Sequence, residues 1–401
     1  MKSKNFQFFG PENPRGFLKK PGICYVNPPV LLKRPISELI YNFSRKGYST
    51  SLLIPKKLFQ KVDSSLHHTK LVGKSRVYTY SIINPPFISA EQPLPVTPMF
   101  CINTIKAMKN NDIIHMWVPY YLTSFWIILT KKLFFPSKKF ILTMDTVPGY
   151  SFSMGGFWDK IFRIYNKLFR CVLFGTPDII VLYGKSMIPF ALKAGVPKHK
   201  IRVIHTGIDV KKNSKRTVSK IRKELKISTK TRIILYAGLI IPRKGIDKII
   251  KIAHRMRKEK VIFLLAGDGP NRKEYEREVK RLRLENKVLF LGWRRDMHEL
   301  YLTTDIVLLP AEGEGLPGLI MEAMSYGIPC VASNIPCIPD LIENGRTGFL
   351  CQKNNINEFV RTINKVIKNK NLRKRISDQS IKKIKEFEWS RVMKKYEELY
   401  R

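Results

Sequence analysis

Short apolar runs of strand length alternate with longer amphipathic stretches along the whole chain, and that alternation admits few folds. In the first half the strand candidates are Ile23 to Val26, Ser51 to Ile54, Val77 to Tyr80, Ile113 to Met116, Phe140 to Thr143, Ile179 to Leu182 and Ile201 to Ile204. The second half repeats the pattern at Ile233 to Ala237, Val261 to Ala266, Val288 to Leu291, Ile306 to Leu309, Pro329 to Ala332 and Phe349 to Cys351. Helices are expected from about Gly245 to Lys258 and from Asn271 to Leu284. Strands that alternate with helices in this way build parallel sheets with crossover helices on both faces. A lysine-rich polar stretch from Gly207 to Ser219, after the turn signal His205-Thr206-Gly207, separates the halves. Two doubly wound domains joined there are the simplest solution, and ligands of such sheets sit at the carboxyl ends of the strands. The active site is therefore expected in a cleft between the two domains.

Charge is the second constraint. The 401 residues carry 73 Lys and Arg against 31 Asp and Glu, a formal net charge of +42. The excess has three candidate partners: nucleic acid, an anionic membrane face or an anionic small substrate. Up to His205 there are 30 basic and 8 acidic residues, and after it 43 and 23, so no tail or single patch carries the charge. A nucleic-acid-binding protein would cluster basic residues on one groove or tail, and no such motif is present. The first hundred residues hold only Glu12, Glu38, Asp63 and Glu91 as acids, so the amino-terminal half is the acid-poor one. Lys, Ile and Asn are all abundant, and biased coding would also produce part of this excess.

The six cysteines form no C-x-x-C and have no His partner at zinc spacing, so reduced intracellular thiols are expected. The opening MKSKNFQFFGPENPRGF has no apolar core and small-residue cleavage site of a secretory signal. Ile113 to Thr130 is free of formal charge for 18 residues, but His115 and Pro119 interrupt it, and it reads better as a buried strand running into a helix than as a membrane span. From Trp158 to Phe174, Asp159, Lys160, Arg163, Asn166, Lys167 and Arg170 fall on one side of a helix. Trp158, Ile161, Phe162, Tyr165, Leu168, Phe169 and Val172 make a wide apolar face on the other. That face either packs on the sheet or meets an anionic membrane surface.

The stretch richest in chemistry is LLPAEGEGLPGLIMEAMSYGIPCVAS, Leu308 to Ser333. A strand ending at Pro310 empties into a glycine-punctuated acidic loop, and Pro317 and Gly318 then open a short helix. A helix start presents unpaired N–H groups and a positive dipole end, which suits a phosphate. Carboxylates beside it make sense if Glu314 and Glu322 accept hydrogen bonds from neutral diols while the N–H groups of Gly315, Leu316 and Gly318 meet phosphates. A nucleoside diphosphate sugar offers both kinds of group.

Glu314 and Glu322, separated by seven residues in the frame EGLPGLIMEAM, resemble the paired glutamates of retaining glycosyltransferases of family 4, which have the GT-B architecture of two facing Rossmann-like domains. YAGLIIPRKGIDKII resembles the family's phosphate-gripping strand and loop, FLLAGDGP its glycine turn, and VLFLGWRRDMHELYLTTDIVLLP its base-binding segment. IENGRTGFL, IRVIHTGID and EFEWSRVMKKYEELY are similar to the turn after the glutamate helix, the interdomain hinge and the terminal helix. The resemblance is specific from Ile201 to Arg401 and architectural before that. It implies an acceptor domain over 1–206, a hinge over 207–219, a nucleotide-sugar domain over 220–384 and a helix over 385–401 that crosses back to the first domain.

The resemblance further implies that Glu314 holds hydroxyls of the donor sugar and Glu322 the ribose. Lys244 and Arg243 would grip the diphosphate, and Gly238, Gly315, Leu316, Pro317 and Gly318 would line the donor site, with Trp293 and Arg294 near the base. The chain departs from the family at Leu239, where an Arg is usual, at Met144-Asp145, where a His is common, and at Asn27-Pro28-Pro29, where a double glycine is usual. Asp145, and His115 one strand earlier, are expected at the cleft, while Asp268 and Asp305 read as turn and helix-start residues. No Asp-x-Asp occurs, so no metal is expected at the donor site, and no cofactor beyond the donor substrate is implied.

The reaction implied is transfer of a hexose or N-acetylhexosamine to an acceptor hydroxyl with retention. The acid-poor first domain favours a lipid-linked acceptor, with the protein cytoplasmic and peripheral on the inner membrane face. A soluble transferase making a small glycoside or storage glucan is the other reading within the class. A nucleoside diphosphate sugar epimerase of the same fold, marked by a proton-shuttling His or Glu pair, is a rival class that the frame around Glu314 argues against. Oligomeric state is left open.

Overall fold

The computed structural model describes residues 20–27, 34–56, 75–81, 98–153, 155–210 and 220–401. All thirteen expected strands are present, each end within one residue of its expected place. The first seven are β1 (Ile23–Val26), β2 (Thr50–Pro55), β3 (Arg76–Tyr80), β4 (Ile113–Trp117), β5 (Lys139–Met144), β6 (Ile179–Leu182) and β7 (Ile201–Val203). They form one parallel sheet in the order β3-β2-β1-β4-β5-β6-β7. The second sheet takes β8 (Arg232–Ala237), β9 (Val261–Ala266), β10 (Val288–Gly292), β11 (Ile306–Leu309), β12 (Cys330–Ser333) and β13 (Phe349–Cys351) in the order β10-β9-β8-β11-β12-β13. Both orders reverse direction beside the first strand of the sheet, and such reversals leave a crevice at the carboxyl ends of the strands. Central strands are buried along their whole length, as in ICYV of β1 and VIFLLA of β9. Helices cover both faces of a parallel sheet, so such strands read as continuous apolar runs.

The expected helices after β8 and β9 are shorter than their periodicity suggests, at Ile246–Arg255 and Arg272–Arg281. The first begins only after Gly245, whose positive φ of 74° is incompatible with a helical turn. Asp305 is not a helix-start residue. Its carboxylate accepts hydrogen bonds from the backbone N–H of Ile233 at 2.9 Å and from Arg232 at 3.0 Å, tying the start of β11 to β8.

Gly207 to Val210 leave the first sheet, and the remainder of the expected hinge, 211–219, lies outside the described residues. Ile208 donates its N–H to the carbonyl of Phe387 at 2.9 Å and accepts one from Trp389 at 3.2 Å, which joins the hinge to the start of the helix Trp389–Tyr400. That helix packs on the first domain. Tyr400 stands edge-on to Phe43 with ring centroids 4.8 Å apart and to Tyr25 at 6.3 Å, while Lys46 pairs with Glu397 at 2.5 Å.

His115 belongs to this packing and not to the cleft, which corrects the site role expected of it. Its ring is fully buried, stacked on Trp117 with centroids 4.0 Å apart. Nδ1 meets the Tyr400 hydroxyl at 2.5 Å and Nε2 the Thr143 hydroxyl at 2.7 Å, so both nitrogens are occupied. Facing side chains of β4, β5 and the helix Trp389–Tyr400 thus satisfy a polar group that the strand pattern leaves without a visible partner. Burial holds the His115 imidazole well below its ordinary 6.5. The native ring stays neutral while the unfolded chain takes up a proton below about pH 6.5, so stability falls as the solution is acidified through that range. One such group contributes a slope of at most about 1.4 kcal/mol per pH unit. His205, also lowered by burial, adds its own share. Denaturant titrations between pH 7 and 5 should therefore show a shallower loss of stability in His115→Asn than in the parent chain, with the parent the more stable at neutral pH.

Candidate active site

The crevices of the two sheets face each other across a cavity of about 1010 Å³. Tyr120, Asp145, Phe152 and Tyr183 line it from the first domain, and Lys244, Glu314 and Gly315 to Gly318 from the second. This is the upper end of the size of small-ligand sites.

The second domain's wall is built from two loops that leave neighbouring strands. After β8 the chain turns through a short 3₁₀ segment, Pro242–Lys244, into Gly245. A Cβ on Gly245 would lie 2.1 Å from the carbonyl oxygen of Pro310, so only glycine lets this turn press against the end of β11. The acidic loop after β11 closes over the turn. The N–H of Glu312 donates to the Arg243 carbonyl at 2.9 Å, and the Arg243 guanidinium donates to the Gly313 carbonyl at 2.7 Å. The Lys244 ammonium pairs with the Glu314 carboxylate, and Lys248 pairs with Glu312. Burial pushes the Glu312 carboxyl up, but contacts with Lys248 and with Lys353 at 3.1 Å outweigh it and leave it below its ordinary value.

The helix Gly318–Ser325 starts directly after this loop, and no side chain caps it. Its N-terminal peptide groups therefore present their partial positive charge at the cavity wall where Gly318 stands. Glu322 lies one turn further on, outside the cavity-lining set. The Tyr301 hydroxyl donates to it at 2.6 Å, and the Tyr301 ring stacks on Tyr326.

The first domain reaches this wall at two points. Asp145 follows β5, whose last residue Met144 is turned into the core, and a Cβ on Gly315 would come within 3.0 Å of the Asp145 Cβ. Phe152 lies under the Arg243 guanidinium at 5.9 Å and leaves no room for a side chain at Gly313, where a Cβ would be 2.6 Å away. The two glycines of the acidic loop are thus where the first domain touches this wall. Farther out, the Asp340 carboxylate accepts the N–H of Lys185 at 2.6 Å and the hydroxyl of Ser186 at 2.5 Å, holding the domains together behind the cavity.

Of the residues singled out from sequence, Glu314, Lys244, Arg243, Asp145, Gly315, Leu316, Pro317 and Gly318 come together at the cavity. Arg243, the cation available to compensate for Leu239, is among them. Gly238 follows β8, donates its N–H to the Ala266 carbonyl at 2.9 Å and does not line the cavity. The placement expected of Trp293 and Arg294 is corrected, since neither lines the cavity. Trp293 is exposed, and the Arg294 guanidinium is held by Glu224 at 2.6 Å and Asp296 at 2.7 Å, which raises it above its ordinary range. Asp268 is a turn residue, as read, accepting the N–H of Gly269. Phe152, Lys248, Tyr301 and the Asp340–Ser186 contact went unnoticed in the sequence. Each depends on a partner far along the chain, and only Lys248, four residues after Lys244, carried a local signal.

Residues 217–383 match the family Glycosyl transferases group 1. The chain is 26% identical over 225 residues to N-acetyl-alpha-D-glucosaminyl L-malate synthase of Bacillus anthracis, covering 56% of this chain and 59% of that one. It is 29% identical over 203 residues to UDP-Gal:alpha-D-GlcNAc-diphosphoundecaprenol alpha-1,3-galactosyltransferase of Escherichia coli, covering 49% and 52%. The chain thus spans little more than half the length of these two relatives. HepE of Anabaena, solved in complex with UDP and glucose, shares the fold, with a TM-score of 0.76 at 19% identity over 94% of this chain and 99% of that one.

A double-mutant cycle tests the central pair. Lys244→Met should cost about 2 kcal/mol, because it leaves the Glu314 carboxylate, 7% exposed, without its cation. Lys244→Met with Glu314→Gln should recover much of that, giving an interaction energy of roughly 1 kcal/mol or more in urea unfolding. Strictly additive losses would show that the pair is not coupled.

Proposed function

From a carboxy-terminal domain that belongs to Glycosyl transferases group 1, and a whole chain with the GT-B fold, we propose that this protein is a retaining glycosyltransferase. It moves a hexose or N-acetylhexosamine from a nucleoside diphosphate sugar to an acceptor hydroxyl. The observation that carries this reading is the Lys244–Glu314 pair beside the uncapped start of the helix Gly318–Ser325, in a cavity that Asp145 closes from the other domain.

The chemistry follows from charge. A diphosphate brought to the helix start offers Lys244 a second anionic partner and places Arg243 within reach. Both cations, with the peptide dipoles, meet the negative charge that grows on the β-phosphate as the sugar leaves. Glu314, drawn off Lys244, then accepts hydroxyls of the sugar, and Glu322, steadied by Tyr301, accepts those of the ribose. Attack comes from the face the phosphate leaves, and the departing phosphate oxygen takes the acceptor proton. The chain has no Asp-x-Asp motif, and in this reading the helix start and the two cations do the work a metal does elsewhere. Contact between Gly315 and Asp145 keeps water out while the substrates are aligned.

The acceptor is a lipid-linked glycan or glycolipid at the inner face of the cell membrane. The acid-poor first domain supports this, as does the Escherichia coli relative, named for a diphosphoundecaprenol-linked acceptor. The Bacillus anthracis relative, named for L-malate, keeps a small soluble acceptor as the second reading. No helix among the described residues is long and apolar enough to cross a membrane, so attachment in this reading is peripheral.

A thermal-shift screen of nucleoside diphosphate sugars should find at least one donor that raises the melting temperature. With that donor, Glu314→Ala should lose at least about a hundredfold in kcat/KM, Glu322→Ala should raise the donor KM, and a chelator should leave turnover unchanged. NMR of the product should show the anomeric configuration of the donor. Full activity in both glutamate variants would overturn the assignment.

A further inference from the structure

The face of the helix Gly156–Leu173 that sequence periodicity offers to the sheet is only partly buried there: Phe162, Tyr165 and Val172 pack against the core, and the rest is exposed. Only Asn166 and Leu173 of that helix are buried, while Phe157 is 71% exposed, Leu168 70% and Trp158 52%. Two further helices lie in the same layer, Leu122–Phe134 packed against it and Pro98–Lys109 packed against Leu122–Phe134. Among the described residues, sixteen large hydrophobic side chains are exposed, and thirteen of them stand on these three helices. The remaining three, Leu192, Leu239 and Trp293, are scattered, as single exposed hydrophobics commonly are. The patch therefore needs an occupant.

Its charge says which. The three helices carry eight basic residues and a single acid, Asp159, which is engaged by the Ser153 hydroxyl at 2.5 Å. Lys132, Lys160, Lys167 and Arg170 are exposed beside the aromatics. A second copy of the chain would bring like charge against like charge across such a face. An anionic bilayer supplies phosphate for the lysines and an acyl boundary for Trp126, Phe157 and Trp158. The patch is also continuous with the site, since Phe162 of Gly156–Leu173 and Tyr121, immediately before Leu122–Phe134, line the cavity.

We propose that the three-helix layer Pro98–Lys109, Leu122–Phe134 and Gly156–Leu173 is the surface by which the protein lies on an anionic membrane, the cavity mouth opening along the bilayer plane. The docking itself rests on exposure and charge. Its consequence, that an acceptor reaches Asp145 with its lipid tail still in the bilayer, rests on the transferase reading. Basic residues bring the face to the headgroups, and the aromatic side chains then enter the boundary.

Co-sedimentation of the full chain with vesicles of phosphatidylcholine alone and of phosphatidylcholine with phosphatidylglycerol tests this. Binding should favour the anionic vesicles, weaken with added salt, and shift tryptophan emission to the blue. Phe157→Ser/Trp158→Ser/Leu168→Ser and, separately, Lys160→Gln/Lys167→Gln/Arg170→Gln should each lower partitioning on the order of a hundredfold. The melting temperature and the shift produced by the donor should persist in both triple variants. Three results would overturn the proposal: no binding to either vesicle, binding unchanged in both variants, or a concentration-dependent dimer that the same substitutions dissolve. A chain that binds vesicles but no nucleotide sugar would keep the docking surface and remove the transferase reading.

Discussion

The contact on which the site depends is the closure of one loop over another at the carboxyl ends of β8 and β11. Arg243 and Lys244 come from one loop, Glu312, Gly313 and Glu314 from the other, and both ion pairs and backbone bonds join them. One loop has only the single 3₁₀ turn Pro242–Lys244 and the other no regular structure before Gly318 to fix the direction of its charges. Joined, they form a single wall in which a cation, an anion and a helix start occupy known positions relative to each other. The first domain needs only to touch that wall at its two glycines for the cavity to close.

Such a wall holds its charges in mutual neutralisation until something displaces them. Lys244 and Glu314 are each too buried to be left alone at low cost. In the proposed transferase reading, a ligand that separates them brings both an anion and hydrogen-bond donors, as a nucleoside diphosphate sugar does. The same electrostatics makes the glycine spacing of the loop a matter of reach: larger residues at Gly313 or Gly315 would push the other domain away before the charges were enclosed.

The fold was legible because parallel strands buried on both faces leave continuous apolar runs, and β1, β6, β9, β11 and β13 match them residue for residue. Glu314, Lys244 and the helix start were legible because the loops that carry them follow strands in fixed order. His115 and Arg294 were misplaced for one reason. Strand-end position shows which end of a sheet a side chain occupies, but not which neighbour claims it. Tyr400 takes His115 from 285 residues away, and Glu224 takes Arg294 from 70 residues away. The aromatic helix was ambiguous in the same way, because periodicity identifies an apolar face without saying what lies against it.

The helix Trp389–Tyr400 completes the core of a domain whose strands were all made long before it. During synthesis the first sheet emerges with Tyr25, Phe43 and the buried His115 uncovered, and they remain so until the second domain has been translated and its last helix returns. The amino-terminal domain cannot reach its final packing independently of the rest of the chain. A nascent chain interrupted anywhere in the second domain would therefore present these side chains without their cover.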